Sequence, residues 1–111
     1  MNLEFLETAQ PGLRWFRRYY TDNPQLRKSA AFAAFRKERS VIAKNPFAGR
    51  PYEGMDTVPE YPIQGTNFSI LYTLARDTIW VIDIRDARGL RSAAALRHFA
   101  RALAERMRGQ P

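Results

Sequence analysis

Residues 2–7 alternate Leu3 and Phe5 against Asn2 and Glu4, the period of two that predicts a short strand. From about Ala9 to Tyr20 the period lengthens: Leu13, Phe16 and Tyr20 recur at helical spacing with Arg14, Arg17 and Arg18 among them. Pro11 suits the first turn of that helix, where its missing N–H is harmless. Asp22-Asn23-Pro24 then breaks the pattern and offers a new start, with Asn23 as cap and Pro24 in the first helical position. The second helix is expected to run to about Lys44, rich in alanine (Ala30, Ala31, Ala33, Ala34) and therefore high in helix propensity. Its apolar residues fall on two arcs. Leu26, Ala30, Ala33, Ala34 and Val41 form one, and Ala31, Phe32, Phe35 and Ile42 the other, which predicts two contacts. Asn45-Pro46 ends it, because the residue before proline disfavours the helical region.

Residues 45–57 read as loop, punctuated by two Pro and two Gly. Residues 58–63 read as a strand that Pro59 and Pro62 confine to a sheet edge or a bulged segment. Gly65-Thr66-Asn67 is a turn. Residues 68–74 alternate Phe68, Ile70, Tyr72 and Leu74 against Ser69, Leu71 and Thr73, and Ala75-Arg76-Asp77 makes a hairpin into residues 78–85. That last run is apolar on nearly both sides, as a central strand covered on both faces would be. Ser92 to Arg108 predicts an amphipathic helix with Leu96, Phe99, Ala100, Leu103 and Met107 on one face. The order β-α-α-β-β-β-α implies an α+β fold, a two-helix hairpin packed on a small antiparallel sheet, followed by the C-terminal helix. A single domain over 1–111 is expected, with its core in about 1–88 and the terminal helix at about 92–108.

Composition removes several chemistries. The 111 residues include no Cys and one His, which excludes disulfides, thiolate nucleophiles, Cys-ligated zinc and a multi-histidine metal site within one chain. No metal and no cofactor are expected. The N-terminus has acids early and no basic region before an apolar core, and no apolar run approaches the roughly 20 residues that span a bilayer. The expectation is a soluble cytoplasmic protein without a membrane partner. The net charge is +7, and 15 of the 18 basic residues are Arg. Residues 85–111 hold seven Arg (85, 88, 91, 97, 101, 106, 108) against Asp86 and Glu105, or +5 of that +7. Such a patch attracts nucleic acid or an acidic protein.

Metal-free RNA cleavage needs a group to activate the 2′-hydroxyl, a cation for the developing charge and an acid for the leaving oxygen. By residue type the candidates are His98, Glu60, Tyr52, Tyr72, Arg50, Arg76, Arg85 and Arg88. Asp83 falls inside an apolar strand and so needs a partner, for which Arg50 or Arg76 would serve. Arg50, at the corner Gly49-Arg50-Pro51, either anchors its loop to a carboxylate or contacts a target. Phe47 is the best candidate for an exposed anchor because it sits in a loop, whereas Trp15, Trp80 and Tyr61 read as core or covered surface.

The string Asn45-Pro46-Phe47-Ala48-Gly49-Arg50-Pro51, the strand centre Ile70-Leu71-Tyr72, and Ile79-Trp80-Val81-Ile82-Asp83-Ile84-Arg85 occur in an order that resembles the ParE/RelE superfamily of type II toxins. The resemblance covers roughly residues 1–88. It implies the toxin component of a type II toxin–antitoxin module of the plasmid-stabilisation type, a growth inhibitor silenced by an acidic or amphipathic antitoxin. ParE-like members poison DNA gyrase without known nuclease chemistry; RelE-like members cleave mRNA in the ribosome. An ungapped alignment of the last strand puts Ala87, not Arg88, where the nucleases carry an Arg. No Tyr follows Tyr72, and no Lys follows Lys44. These departures turn the expectation toward the ParE-like branch, with Arg85, Arg88, Arg91, Arg97 and Arg101 as the target surface and Phe47, Leu96, Phe99 and Leu103 as antitoxin contacts. The alternatives are a RelE-like ribosome-dependent endoribonuclease, for which Arg50, Arg76, Arg85, Arg88 and His98 are the catalytic candidates, and a nontoxic nucleic-acid-binding member of the fold.

Overall fold

The structure, a computed structural model, describes residues 1–87. The C-terminal helix expected over 92–108 lies outside the described residues, as do Arg88, Arg91, Leu96, Arg97, His98, Phe99, Arg101 and Leu103. The described elements are β1 (Asn2–Phe5), α1 (Gln10–Asp22), α2 (Lys28–Lys44), β2 (Arg50–Tyr52), β3 (Met55–Pro62), β4 (Phe68–Ala75) and β5 (Thr78–Asp86). The strands form one sheet in the order β1-β5-β4-β3-β2. The fold is α+β as expected, but the sheet is mixed rather than antiparallel. β1 lies parallel to β5, with Leu3 opposite Ile79 and Phe5 opposite Val81. A parallel pair needs a crossover, and here most of the chain supplies it.

Two further corrections concern the sheet's other side. The segment read as loop contains β2, so β3 is internal and not an edge strand; the bulged alternative holds, since the β2–β3 register shifts between Pro51, opposite Pro59, and Tyr52, opposite Met55. Proline within β3 is tolerated because Pro59 stands opposite Pro51, and neither has an N–H to lose. Pro62 lies beyond the reach of β2 and pairs with Ser69 on the other side.

The helix boundary near Asn23 also differs. Asn23 donates its side-chain amide to the Tyr19 carbonyl at 2.7 Å, so it closes α1 instead of opening α2. Pro24–Leu26 form a 3-10 turn, and Arg27 adopts a left-handed backbone (φ 54°) before α2 begins at Lys28. On α2, one of the two apolar arcs is the buried one. Ala31 and Ile42 are buried and Phe32 and Phe35 half-buried, whereas Leu26, Ala30 and Ala33 are exposed.

The main core lies between the helices and one sheet face. Phe16 of α1 is its centre, with ring centroids 5.0 Å from Phe68, 5.6 Å from Phe35 and 5.7 Å from Phe32. A bulge in β5 sets Leu71 opposite Asp83 and Tyr72 opposite Val81, leaving Ile82 as the extra residue. Val81 and Ile82 face opposite sides, Val81 in the main core and Ile82 in a second cluster with Tyr52, Val58 and Leu71, and the bulge brings Ile84, three residues after Val81, back to the main-core side. That accounts for a strand apolar on nearly both sides. Around the bulge the start of α1 presses onto β5. Thr8 donates to the Ile82 carbonyl at 2.7 Å, and Trp15 donates to the buried Asp86 carboxylate at 2.9 Å. A Cβ at Gly12 would meet a carboxylate oxygen of Asp83 and lie 2.7 Å from the Ile84 carbonyl oxygen.

Candidate interaction surfaces

Two surfaces carry residues singled out from the sequence, and a third stands apart from them. The first is the loop from Asn45 to Gly49. Its conformation is fixed from inside by Tyr72, whose buried hydroxyl donates to the Pro46 carbonyl at 2.8 Å and accepts the Gly49 N–H at 3.1 Å. Asn45 adds a turn, its carbonyl taking the Ala48 N–H at 3.1 Å and its side-chain oxygen the Phe47 N–H at 3.3 Å. Gly49 is demanded by space: a Cβ there would lie 2.7 Å from the Tyr72 hydroxyl and 2.8 Å from the Pro59 Cβ. Burial raises the Tyr72 pKa, against the opposing effect of the Gly49 hydrogen bond. At the tip of this braced loop, Phe47 is 81% exposed.

The second surface is the sheet end around Arg85. Ser69, opposite Arg85 on β4, is small, and the Arg85 side chain reaches across to β3, where it donates to Glu60 at 2.9 Å. Its guanidinium carbon sits 5.2 Å from the centre of the Tyr52 ring. Burial alone would lower the Arg85 pKa; the Glu60 carboxylate and Tyr52 outweigh it, so the group stays charged at every working pH. The Arg85 Nε is buried without a hydrogen-bond partner. Arg50 is exposed on β2 in register with Glu60, so the two arginines flank one carboxylate.

Arg76 is not part of this group. It occupies the β4–β5 hairpin tip in a left-handed conformation (φ 58°). About seven residues of strand, roughly 23 Å, separate it from the end that holds Arg85. Neither Arg50 nor Arg76 stands beside Asp83. Arg50 is three strands away, roughly 14 Å, while the Asp83 carboxylate lies against Gly12 at the start of α1.

The third surface was missed from the sequence, where attention went to the arginines after residue 85. Residues 10–44 carry nine Lys or Arg against Asp22 and Glu38, and all nine are exposed. A groove of about 220 Å³ between α1 and α2 has Leu13, Phe16, Phe32 and Phe35 as its floor and Arg17, Arg36 and Arg39 at its rim. A charge count per element, in place of one for the chain's end, would have found it. Among the described residues no cluster of His, Cys, Asp and Glu could hold a metal ion, and no helix is long and apolar enough to cross a membrane.

No protein-family description and no curated protein matches this sequence. Among solved structures, a chain of the "Chromosomal ParDE TA system from P. aeruginosa" is similar, with a TM-score of 0.63 and 20% sequence identity. The match covers 78% of this chain and 95% of that one. The helical hairpin on a five-stranded mixed sheet described above is thus the fold of a component of that ParDE toxin–antitoxin system.

Proposed function

We propose that this chain is the toxin of a type II toxin–antitoxin module, ParE-like, held in check by an acidic antitoxin and acting on DNA gyrase by protein binding. The observation that carries the reading is the shared fold, which spans nearly the whole of a chain from a ParDE system. The groove between α1 and α2 supports the acidic partner. Its apolar floor and arginine rim fit an amphipathic segment that places apolar side chains inward and carboxylates outward.

Binding is favoured over nuclease chemistry by what the described residues assemble. The Tyr72 hydroxyl is buried and spent on two backbone groups, Arg85 is engaged by Glu60, and Arg76 stands at the opposite end of the sheet. Glu60 and Tyr52 do stand around the Arg85 guanidinium, but the Glu60 carboxylate is held there in an ion pair, and neither Tyr72 nor Arg76 joins that cluster.

The test is induction of the chain in a host that lacks the antitoxin. Growth arrest with an SOS response and intact transcripts is the expected result. Codon-positioned cuts mapped by primer extension would replace this reading with the endoribonuclease one. Undisturbed growth at high expression would leave only a nontoxic member of the fold.

A further inference from the structure

The sheet has a second apolar side, turned away from α1 and α2. Tyr52, Val58, Leu71 and Ile82, one from each of β2, β3, β4 and β5, gather there at 1–2% exposure. Among the described residues, Leu6 and Met55 are the partly buried apolar side chains packed against them, while the helices pack on the other face with Phe68, Ile70 and Ile84. A buried row of large side chains across four strands is the inner half of a two-layer contact and calls for a second layer. We propose that this face is the seat of the chain's own residues 92–108, docked through Leu96, Phe99, Leu103 and Met107. The stripe grouped above with the antitoxin contacts is then spent within the chain, an inference that does not depend on the toxin reading.

Three observations select that occupant. The first is reach. The Ala87 N–H donates to the Asn67 carbonyl at 2.6 Å, so the chain leaves the described fold at the sheet, directly after the strand that carries Ile82. Residues 88–91 can span about 13 Å, enough to turn back onto that face. From Leu96 to Met107 a helix measures about 16 Å. From β2 to β5 the row of buried side chains crosses three strand spacings, about 14 Å.

The second is charge. Residues 10–44 carry nine Lys or Arg against two acids, and Arg17, Arg36 and Arg39 rim the groove between the helices. Residues 88–111 carry six Arg against Glu105, so that groove repels them. The strands β2 to β5 are the opposite: residues 50–86 hold three Arg against six Asp or Glu. Asp83 and Asp86 lie buried beside α1, and without them the acids still outnumber the bases. A basic segment is drawn to the sheet and turned away from the helical pair.

The third is pattern. Leu96, Phe99, Leu103 and Met107 fall on one arc at helical spacing, and Arg97, Arg101 and Arg108 on an adjoining one. Docking by the first arc buries the stripe and leaves those guanidinium groups in water.

The experiment uses the full chain, in which every introduced thiol is unique because there is no Cys. Val58→Cys puts a thiol in the proposed seat, Leu13→Cys one in the helical groove, and Ala100→Cys one on the apolar stripe. A short bifunctional thiol reagent is expected to link Val58→Cys to Ala100→Cys within one chain and to leave the Leu13→Cys, Ala100→Cys pair unlinked, as read by mass spectrometry of the joined peptides. In parallel, labelling of Val58→Cys alone is expected to accelerate at least about tenfold when Leu103→Asp is added, because a carboxylate does not stay in an apolar seat. Ala31→Cys, in the main core, should label equally slowly with and without Leu103→Asp, which separates a lifted segment from general unfolding. Were both thiols to speed up together, the linkage alone decides. Linkage in the Leu13→Cys pair, linkage only between chains, or no linkage in either pair would overturn the proposal. So would a Val58→Cys labelling rate indifferent to Leu103→Asp. Growth arrest is not among these readouts, so the toxin reading stands or falls separately.

Discussion

The hydroxyl of Tyr72, in the middle of the sheet, takes the N–H of Gly49 at 3.1 Å from a loop at the sheet's far edge. Through this contact and its donation to Pro46, one buried side chain on β4 decides how the Asn45–Gly49 loop is held. Tyr72→Phe should leave a half-buried N–H and a half-buried carbonyl without this partner and cost about 1 kcal/mol. The fall in melting temperature reports the cost, at roughly 4–8 °C per kcal/mol for a domain of this size. An unchanged melting temperature would mean that the loop holds itself.

The same hydroxyl predicts an alkaline weakness. Its pKa is raised by burial above the ordinary 10.0, so the folded state keeps the proton when the unfolded state has begun to lose it. Stability from this group is complete below pH 10 and declines as pH climbs through the higher folded value. Urea midpoints measured from pH 8 to pH 11 should fall more steeply at the top of the range for wild type than for Tyr72→Phe. Parallel curves would exclude Tyr72 as the titrating group.

Gly49→Ala and Gly12→Ala are expected to destabilise by overpacking, each by about 1–3 kcal/mol. At Gly49 the new methyl would sit 2.8 Å from Pro59 and 2.7 Å from the Tyr72 hydroxyl; at Gly12 it would press on the Ile84 backbone, which cannot rotate away. Denaturant titrations should show a lower midpoint at constant slope. The contrast is Gly54, where a Cβ meets nothing within 4 Å and only the left-handed backbone (φ 79°) resists substitution.

Arg85 and Glu60 should behave as a unit. Glu60→Gln keeps the shape but loses the charge, for about 1–2 kcal/mol, whereas Arg85→Glu sets two carboxylates side by side and costs more. The double change Arg85→Glu with Glu60→Arg should recover part of the loss in thermal melts. Additive effects would show that the pair is not coupled. For this reason a simultaneous charge reversal of Arg85, Arg88 and Arg91 does not test target binding cleanly: its first member is a structural partner of Glu60.

Periodicity along the chain was enough to locate β1, both helices and the β4–β5 hairpin to within a few residues, because those patterns are local: they depend on neighbours two, three or four positions away. The α+β class followed from their order. The candidate residues were legible only as types. Phe47 was recognisable as exposed because prolines and glycines around it mark a loop, and 81% exposure agrees with that much of the reasoning.

Pairing was beyond local pattern. That β1 runs parallel beside β5 depends on residues 76 positions apart, that Arg85 crosses Ser69 to reach Glu60 on residues 25 apart, and that a three-residue strand makes β3 internal on which edge β2 joins, a pairing of residues up to 10 apart. The fate of Tyr72, a nuclease candidate by type and a loop brace by position, depends on tertiary contacts too. Which side chain is spent on holding the fold, and which is left for a partner, is settled by burial and by who stands opposite. Those are properties of the packed sheet, not of any window along the chain.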